Sequence, residues 1–334
     1  MMGLKLEVRA EKLRLSAPFR ISGYVFEETD AIVATVSDER NRGRGEAAGA
    51  YYLGDDLTRM RADIEAARSE IERGIDRASL ERLMPPGGAR NAVDCALWEL
   101  EAAQSGRAVW QIAGLDPPKP LMTTFTIGAD EPEVMAQGAR HYRDALAIKI
   151  KLTGDFALDA ARVRAVRGAR PDAWLGVDAN QGYARDGLNA LVEMLVEQNV
   201  SLLEQPLARG AEAHLQDFVS PVRIAADESA LTLEDLPGLV GRFEVVNIKL
   251  DKCGGLTAGL AMAAAARQLG LGVMVGNMVG TSLAMAPAFV LGQLCDIVDL
   301  DGPTFLAEDR KPGVVYRDGL IDCPAEVWGG GRSA

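Results

Sequence analysis

Lys151, Asp178, Glu204, Asp227 and Lys249 follow one another at intervals of 27, 26, 23 and 22 residues (178−151, 204−178, 227−204, 249−227). Each lies at or near the end of a short apolar run. Three carboxylates brought to one place repel unless a cation joins them. Oxygen-only ligands suit a hard cation, and Mg2+ is the expectation. Two lysines flanking such a centre suit proton transfer at a carbon next to a carboxylate or carbonyl, with the cation stabilising the enolate-like oxygen. Burial and a nearby cation are expected to lower the lysine pKa values toward neutrality, so that one can accept a proton. Any single acid could instead cap the helix after its strand. Three acids ending successive strands favour a shared site. The only histidines, His141 and His214, lie in helical or polar settings, so neither histidine catalysis nor zinc binding is expected.

The regular interval implies a repeat. Apolar runs occur at 123–128, 147–152, 174–178, 201–204, 223–227, 244–250, 272–277 and 296–301, with helical stretches such as 158–169 and 257–270 between them. Repeated βα units with nearly all-apolar strands predict a parallel sheet covered by helices. Eight such units close into a (β/α)8-type barrel, a modified TIM barrel, with its active site at the C-terminal ends of the strands. In AIKIKL, Ile148, Ile150 and Leu152 share one face, and Lys149 and Lys151 the other. The apolar face meets the helices, so both lysines point into the barrel. Lys151 on strand two and Lys249 on strand six lie opposite each other, able to reach two faces of one bound carbon.

Upstream the pattern differs. Residues 4–15 and 32–39 alternate like antiparallel strands, and 57–73 and 90–105 have helical periodicity. We therefore expect an α+β unit over 1–115, a linker at DPPKP (116–120), and the barrel over 120–305. The tail, 306–334, is expected to return GVVYRDGLI as a strand to the first unit.

Bulk properties narrow the partners. A net charge of −12 argues against nucleic acid and anionic membranes. No apolar run reaches the length of a membrane span, and the N-terminus lacks the apolar core of a secretory signal, so a cytoplasmic location is the default expectation. Cys95, Cys253, Cys295 and Cys323 show no metal or redox spacing and read as packed thiols.

The motifs KxK (Lys149–Lys151), DxN (Asp178–Asn180), EQP (Glu204–Pro206), DES (Asp227–Ser229) and NIK (Asn247–Lys249), followed by Gly254–Gly255, together resemble the enolase superfamily in its muconate-lactonizing subgroup. The resemblance spans essentially the whole chain. It implies an α+β capping domain made from both chain ends. It also implies an acid/base pair of Lys151 and Lys249 assisted by Lys149, with Mg2+ on Asp178, Glu204 and Asp227; a lysine base with Mg2+ is the known chemistry of that superfamily. Asp299-Leu300-Asp301 at the end of strand eight looks like the dipeptide epimerases, where such a pair accepts a free α-ammonium group. The two carboxylates share one strand face and suit a cation. Thr124 matches a substrate-contacting threonine of that group.

The stretches GGARNAVDCALWEL, EVVNIKLDKCGGLT and DLDGPTFLAEDRKPG look particularly like bacterial L-Ala-D/L-Glu epimerases acting on murein peptides. The implied reaction is epimerisation at the C-terminal residue of a dipeptide, by transfer between the two lysines. The alternatives are N-acylamino-acid racemisation, cycloisomerisation, o-succinylbenzoate synthesis, or non-catalytic dipeptide binding. A homo-oligomer is a further expectation. Asn277 and Gly280 depart from the epimerase pattern. Lid loops near Arg20–Tyr24 and Ala48–Asp55, including Tyr51, are expected to choose the side chain. Arg20 is a candidate partner for a glutamate side chain, with a solvated surface arginine as the alternative.

Overall fold

The computed structural model describes residues 3–21 and 23–331. Strands β1 (Lys5–Ile21) and β2 (Tyr24–Ser37) form a long antiparallel hairpin, to which β3 (Arg42–Ala47) is added. The base of this sheet packs Leu6, Ile32, Ala34 and Val36 on helices α1 (Leu57–Glu72), α2 (Arg77–Leu83) and α3 (Gly88–Ser105), forming a core of its own. The hairpin outruns the expected 4–15 and 32–39. Its pairing slips between Arg14 and Phe19, where Pro18 has no N–H to give, and then resumes to the tip. The sequence reading missed β3, because RGRGEA shows no apolar alternation. Its glycines are there for proximity: a Cβ on Gly43 would stand 2.0 Å from the Ala96 carbonyl of α3.

Helix α4 (Val109–Ile112) and the two-residue strand β4 (Leu121–Met122) lead into the barrel. Strands β5 (Thr124–Ile127), β6 (Ala147–Lys151), β7 (Trp174–Asp178), β8 (Leu202–Glu204), β9 (Arg223–Ala226), β10 (Val245–Lys249), β11 (Gly272–Gly276) and β12 (Ile297–Val298) form one parallel sheet in chain order. Helices α5 (Pro132–His141), α6 (Phe156–Ala169), α7 (Leu188–Glu197), α8 (Leu236–Leu239), α9 (Leu250–Cys253), α10 (Leu256–Gln268) and α11 (Ser282–Gly292) fill the connections. The repeat is imperfect after β8, where a single 3-10 turn, Glu212–Leu215, replaces a helix.

Alternation along the strands sorts the side chains. Ile148, Ile150, Val177, Leu203, Val246, Ile248 and Val275 face outward into the main core with the helices. Leu202, Ala225, Val245 and Met274 face inward, against Trp174 and Ile297, and plug the barrel. Two residues further along the same inner faces stand Glu204, Asp227, Asn247 and Asp299. An apolar floor therefore lies beneath a charged mouth.

The tail corrects one expectation. Strands β13 (Val315–Arg317) and β14 (Leu320–Asp322) form a hairpin that pairs with β4, through Leu320↔Met122 and Ile321↔Leu121, and not with β1–β3. Ile321 is thereby fully buried in the main core. Residues beyond it reach the first sheet by side-chain and carbonyl contacts: Trp328 Nε1 donates to Arg44 O, and Arg44 Nη2 to Val327 O, both at 2.8 Å.

Helix α3 and the turn after β10 hold the two parts together. Arg90 Nε donates to Gly254 O at 3.1 Å, Trp98 Nε1 to Thr257 Oγ1 at 2.9 Å, and Thr257 Oγ1 to Asp94 Oδ1 at 2.6 Å. Asp251 completes the junction. Its Oδ1 accepts from both Ala48 N and Gly49 N at 2.9 Å, fixing the loop that carries Tyr51 and Tyr52. Burial pushes its pKa up to about 6. A carboxyl raised above its unfolded value takes up a proton on folding, so its contribution weakens as pH rises from about 4 to about 6. Asp251→Asn keeps the accepting oxygen, and urea unfolding should find that pH slope reduced. Asp251→Ala strands the buried Gly49 N–H and the part-buried Ala48 N–H and should cost about 2–4 kcal/mol.

Candidate active site

Each expected charged residue reaches the barrel mouth. In the ladder Lys151 stands beside Asp178, and Asp178 beside Glu204, while Asp227 follows directly on β9. Asp178, Glu204 and Asp227 are almost completely buried, and one carboxylate oxygen from each falls within 4.8 Å of the others. Lys151 Nζ lies 2.5 Å from Asp178 Oδ2, and Lys249 Nζ lies 2.6 Å from Asp227 Oδ2. Lys149 Nζ sits centrally, 2.7 Å from both Glu204 Oε2 and Asp299 Oδ2 and 3.6 Å from Asp178 Oδ2.

Among the chain's own groups, the neighbouring acids favour the charged forms of Lys249 and Lys149. Burial opposes the charge on Lys249, but Asp227 and Glu204 outweigh it and hold the ammonium above the usual lysine range. Burial likewise opposes charge on Lys149, and Asp299, Glu204 and Asp178 reverse the sign. The acids divide accordingly. Burial, assisted by Asp178, pushes Glu204 up to about 7. Asp227, although buried, is held well below the usual carboxylate range by Lys249 and Lys252.

Several residues in this network carried no sequence expectation. Lys252 Nζ donates to Asp227 Oδ1 and Asp227 O at 2.6 Å, and to Asn247 O at 2.9 Å. Asn247 Nδ2 donates to Glu204 Oε1 at 2.8 Å. Gln205 Oε1 accepts from Asp227 N and Ser229 N, at 2.9 and 3.1 Å. Asn247 was legible, since it precedes Lys249 by two on one strand face. Lys252 was not, because it lies on the helical turn after β10. Glu228, the middle of DES, is nearly buried and lines the cavity.

At strand eight the ladder ends at Val298, so Asp299 and Asp301 lie beyond the strand on which they were expected. Both turn to the seam between β12 and β5, where no backbone ladder forms among the described residues. Thr124 Oγ1 donates to Asp299 Oδ1 at 2.5 Å, Thr126 N to Asp301 Oδ2 at 2.6 Å, and Leu300 N to Thr123 Oγ1 at 2.9 Å. The two acids thus line the cavity and also close the barrel. Thr124 holds Asp299 from outside the cavity lining, whereas Thr126 and Thr29 line the cavity. Asn277, a departure in the sequence, donates through Nδ2 to Asp299 O at 2.5 Å. Arg20 lies outside: it pairs with Asp130 at 3.1 Å and lines a neighbouring cleft.

The donor set fits a hard cation. Lys149 is within ion-pair distance of Glu204 Oε2, but it is poorly aligned, and this buried oxygen accepts no hydrogen bond. Among the described residues six buried side-chain atoms lack a hydrogen-bond partner, and five of them, on Tyr52, Asn180, Glu204, Glu228 and Asn247, cluster around this cavity. Buried polar atoms are rarely left unsatisfied, so their concentration here marks a place built for a ligand.

The enolase C-terminal domain-like family model matches residues 134–329. An L-Ala-D/L-Glu epimerase of Escherichia coli is 38% identical over 95% of this chain and 98% of its own length. An enolase family member from Agrobacterium tumefaciens, with homology to dipeptide epimerases and bound sodium and L-Ala-L-Glu, is 42% identical. It superposes with a TM-score of 0.94, covering 98% of this chain and all of that one. A dipeptide epimerase from Methylococcus capsulatus complexed with Mg and L-Arg-D-Lys is 30% identical, with a TM-score of 0.91 over 99% of each chain. With lysines and carboxylates gathered at the mouth of a capped barrel, and this similarity running the length of the chain, the protein belongs to the enolase superfamily.

Proposed function

We propose that this protein is a Mg2+-dependent dipeptide epimerase that inverts the α-carbon of the C-terminal residue. The observation that carries the reading is the pairing of Lys151 and Lys249, four strands apart in an eight-stranded barrel, around the carboxylates of Asp178, Glu204 and Asp227. The E. coli and M. capsulatus relatives support it.

Asp178, Glu204 and Asp227 would hold the metal, which supplies positive charge beside the substrate carboxylate and so favours negative charge developing there. Its charge would also compete with the lysines for these acids, lowering the cost of a neutral lysine. One lysine takes the α-proton, and the other returns a proton to the opposite face. Lys149 stays charged among Glu204, Asp299 and Asp178 and contributes a fixed positive potential. Asp299 and Asp301 receive the substrate's α-ammonium group, in the manner of carboxylates at a cation site. A substrate lacking that ammonium would bring no cation to these acids, leaving Asp299 to Lys149 and Thr124 and Asp301 to Thr126 N. A role in murein peptide metabolism follows only if the C-terminal residue is glutamate.

The test is α-deuterium incorporation in D2O with Mg2+, using both epimers of several L-Ala-Xaa dipeptides. Wild type should exchange both epimers. Lys151→Ala and Lys249→Ala should each lose at least about 100-fold, with opposite epimers worst affected, as expected for removing one positioned base. Equal loss for both epimers in both variants, or no exchange with any dipeptide, contradicts the reading.

A further inference from the structure

The wall opposite the catalytic floor is apolar and already packed. Leu15, Phe19, Ile21 and Phe26 from the hairpin tip, with Met278 and Val279 from the loop after β11, line the cavity. Phe26 meets Tyr51 edge-on with ring centroids 5.3 Å apart, and Phe19 lies 4.6 Å from Phe305. Among the described residues no arginine or histidine lines this cavity, and its three lysines are each bound to a carboxylate on the floor. Arg20, the one arginine at the hairpin tip, is engaged by Asp130 outside it.

Formal charge tells the same story. Six carboxylates, Asp178, Glu204, Asp227, Glu228, Asp299 and Asp301, face four lysines, Lys149, Lys151, Lys249 and Lys252, an excess of two negative charges (6 − 4). One divalent cation balances that excess. A zwitterionic dipeptide adds no net charge, whereas an acidic side chain adds a negative charge that no lining cation meets.

We infer that the residue bearing the reacting carbon carries an uncharged, apolar side chain seated against the hairpin wall, and that Arg20 is not its partner. The inference rests on the epimerase reading. It is tested on the wild-type protein with Mg2+ and four dipeptides: L-Ala-L-Leu, L-Ala-L-Met, L-Ala-L-Glu and L-Ala-L-Lys. Proton NMR in D2O gives kcat/KM, and titration calorimetry gives Kd. The leucine and methionine dipeptides should exceed the glutamate and lysine ones at least about tenfold in kcat/KM and have a Kd at least about tenfold lower, an energy difference of about 1.4 kcal/mol. Arg20→Ala should leave all four ratios unchanged. Glutamate or lysine matching the apolar dipeptides, or a tenfold loss confined to L-Ala-L-Glu in Arg20→Ala, overturns this inference and leaves the epimerase reading standing. No exchange with any of the four overturns both.

Discussion

The barrel mouth buries more carboxylates than a folded chain tolerates unaided, and the arrangement of the surrounding residues follows from that constraint. Asp178 and Glu204 are fully buried, and Asp227 is nearly so. Removing one such group from water costs several kcal/mol unless opposite charge replaces the lost hydration. The chain supplies that charge at close range: Lys151 against Asp178, Lys149 against Glu204 and Asp299, and Lys249 and Lys252 on the two oxygens of Asp227. The lysines that could move protons are therefore also the groups that make the acid cluster foldable.

The same economy appears where the cap meets the barrel. In the run from Asn247 to Thr257, Asn247 donates to Glu204 and Lys252 fixes Asp227. Asp251 accepts the loop that carries Tyr51 and Tyr52, and the backbone at Cys253 and Gly254 accepts Arg90 of α3. Gly254 and Gly255 adopt positive φ of 86° and 119°, and a Cβ on either would collide with Arg90 or Asp94. A single stretch of chain thus ties Lys249, the carboxylate geometry and the Tyr51–Tyr52 loop together. On the other side, Glu46 of β3 accepts Thr281 N at 2.7 Å and Arg310 Nη2 at 2.7 Å, pinning the first sheet to α11 and the tail.

Much of this was legible in the sequence because period-two alternation leaves a clear trace. The eight barrel runs lie within a few residues of β5–β12, and the inward direction of Lys149 and Lys151 follows from Ile148, Ile150 and Leu152 facing out. What could not be read depends on contacts between distant segments. The sign of the Lys249 shift depends on how close Asp227 and Glu204 come. The pairing of the tail with β4 depends on which edge is free below the barrel. The place of Arg20 depends on Asp130, 110 residues away. Asp299 and Asp301 looked like strand residues, because nothing local reveals that the ladder stops at Val298 and that their carboxylates must close the seam.

The central claim is that the lysine-balanced acids form one cation site. The direct measurement is titration of the metal-depleted protein with Mn2+, followed by electron paramagnetic resonance without substrate. The account predicts one tightly held ion per chain, with binding weakened at least about tenfold by Asp178→Asn and unaffected by Arg20→Ala. Absence of a stoichiometric site, or binding that survives Asp178→Asn unchanged, would contradict it.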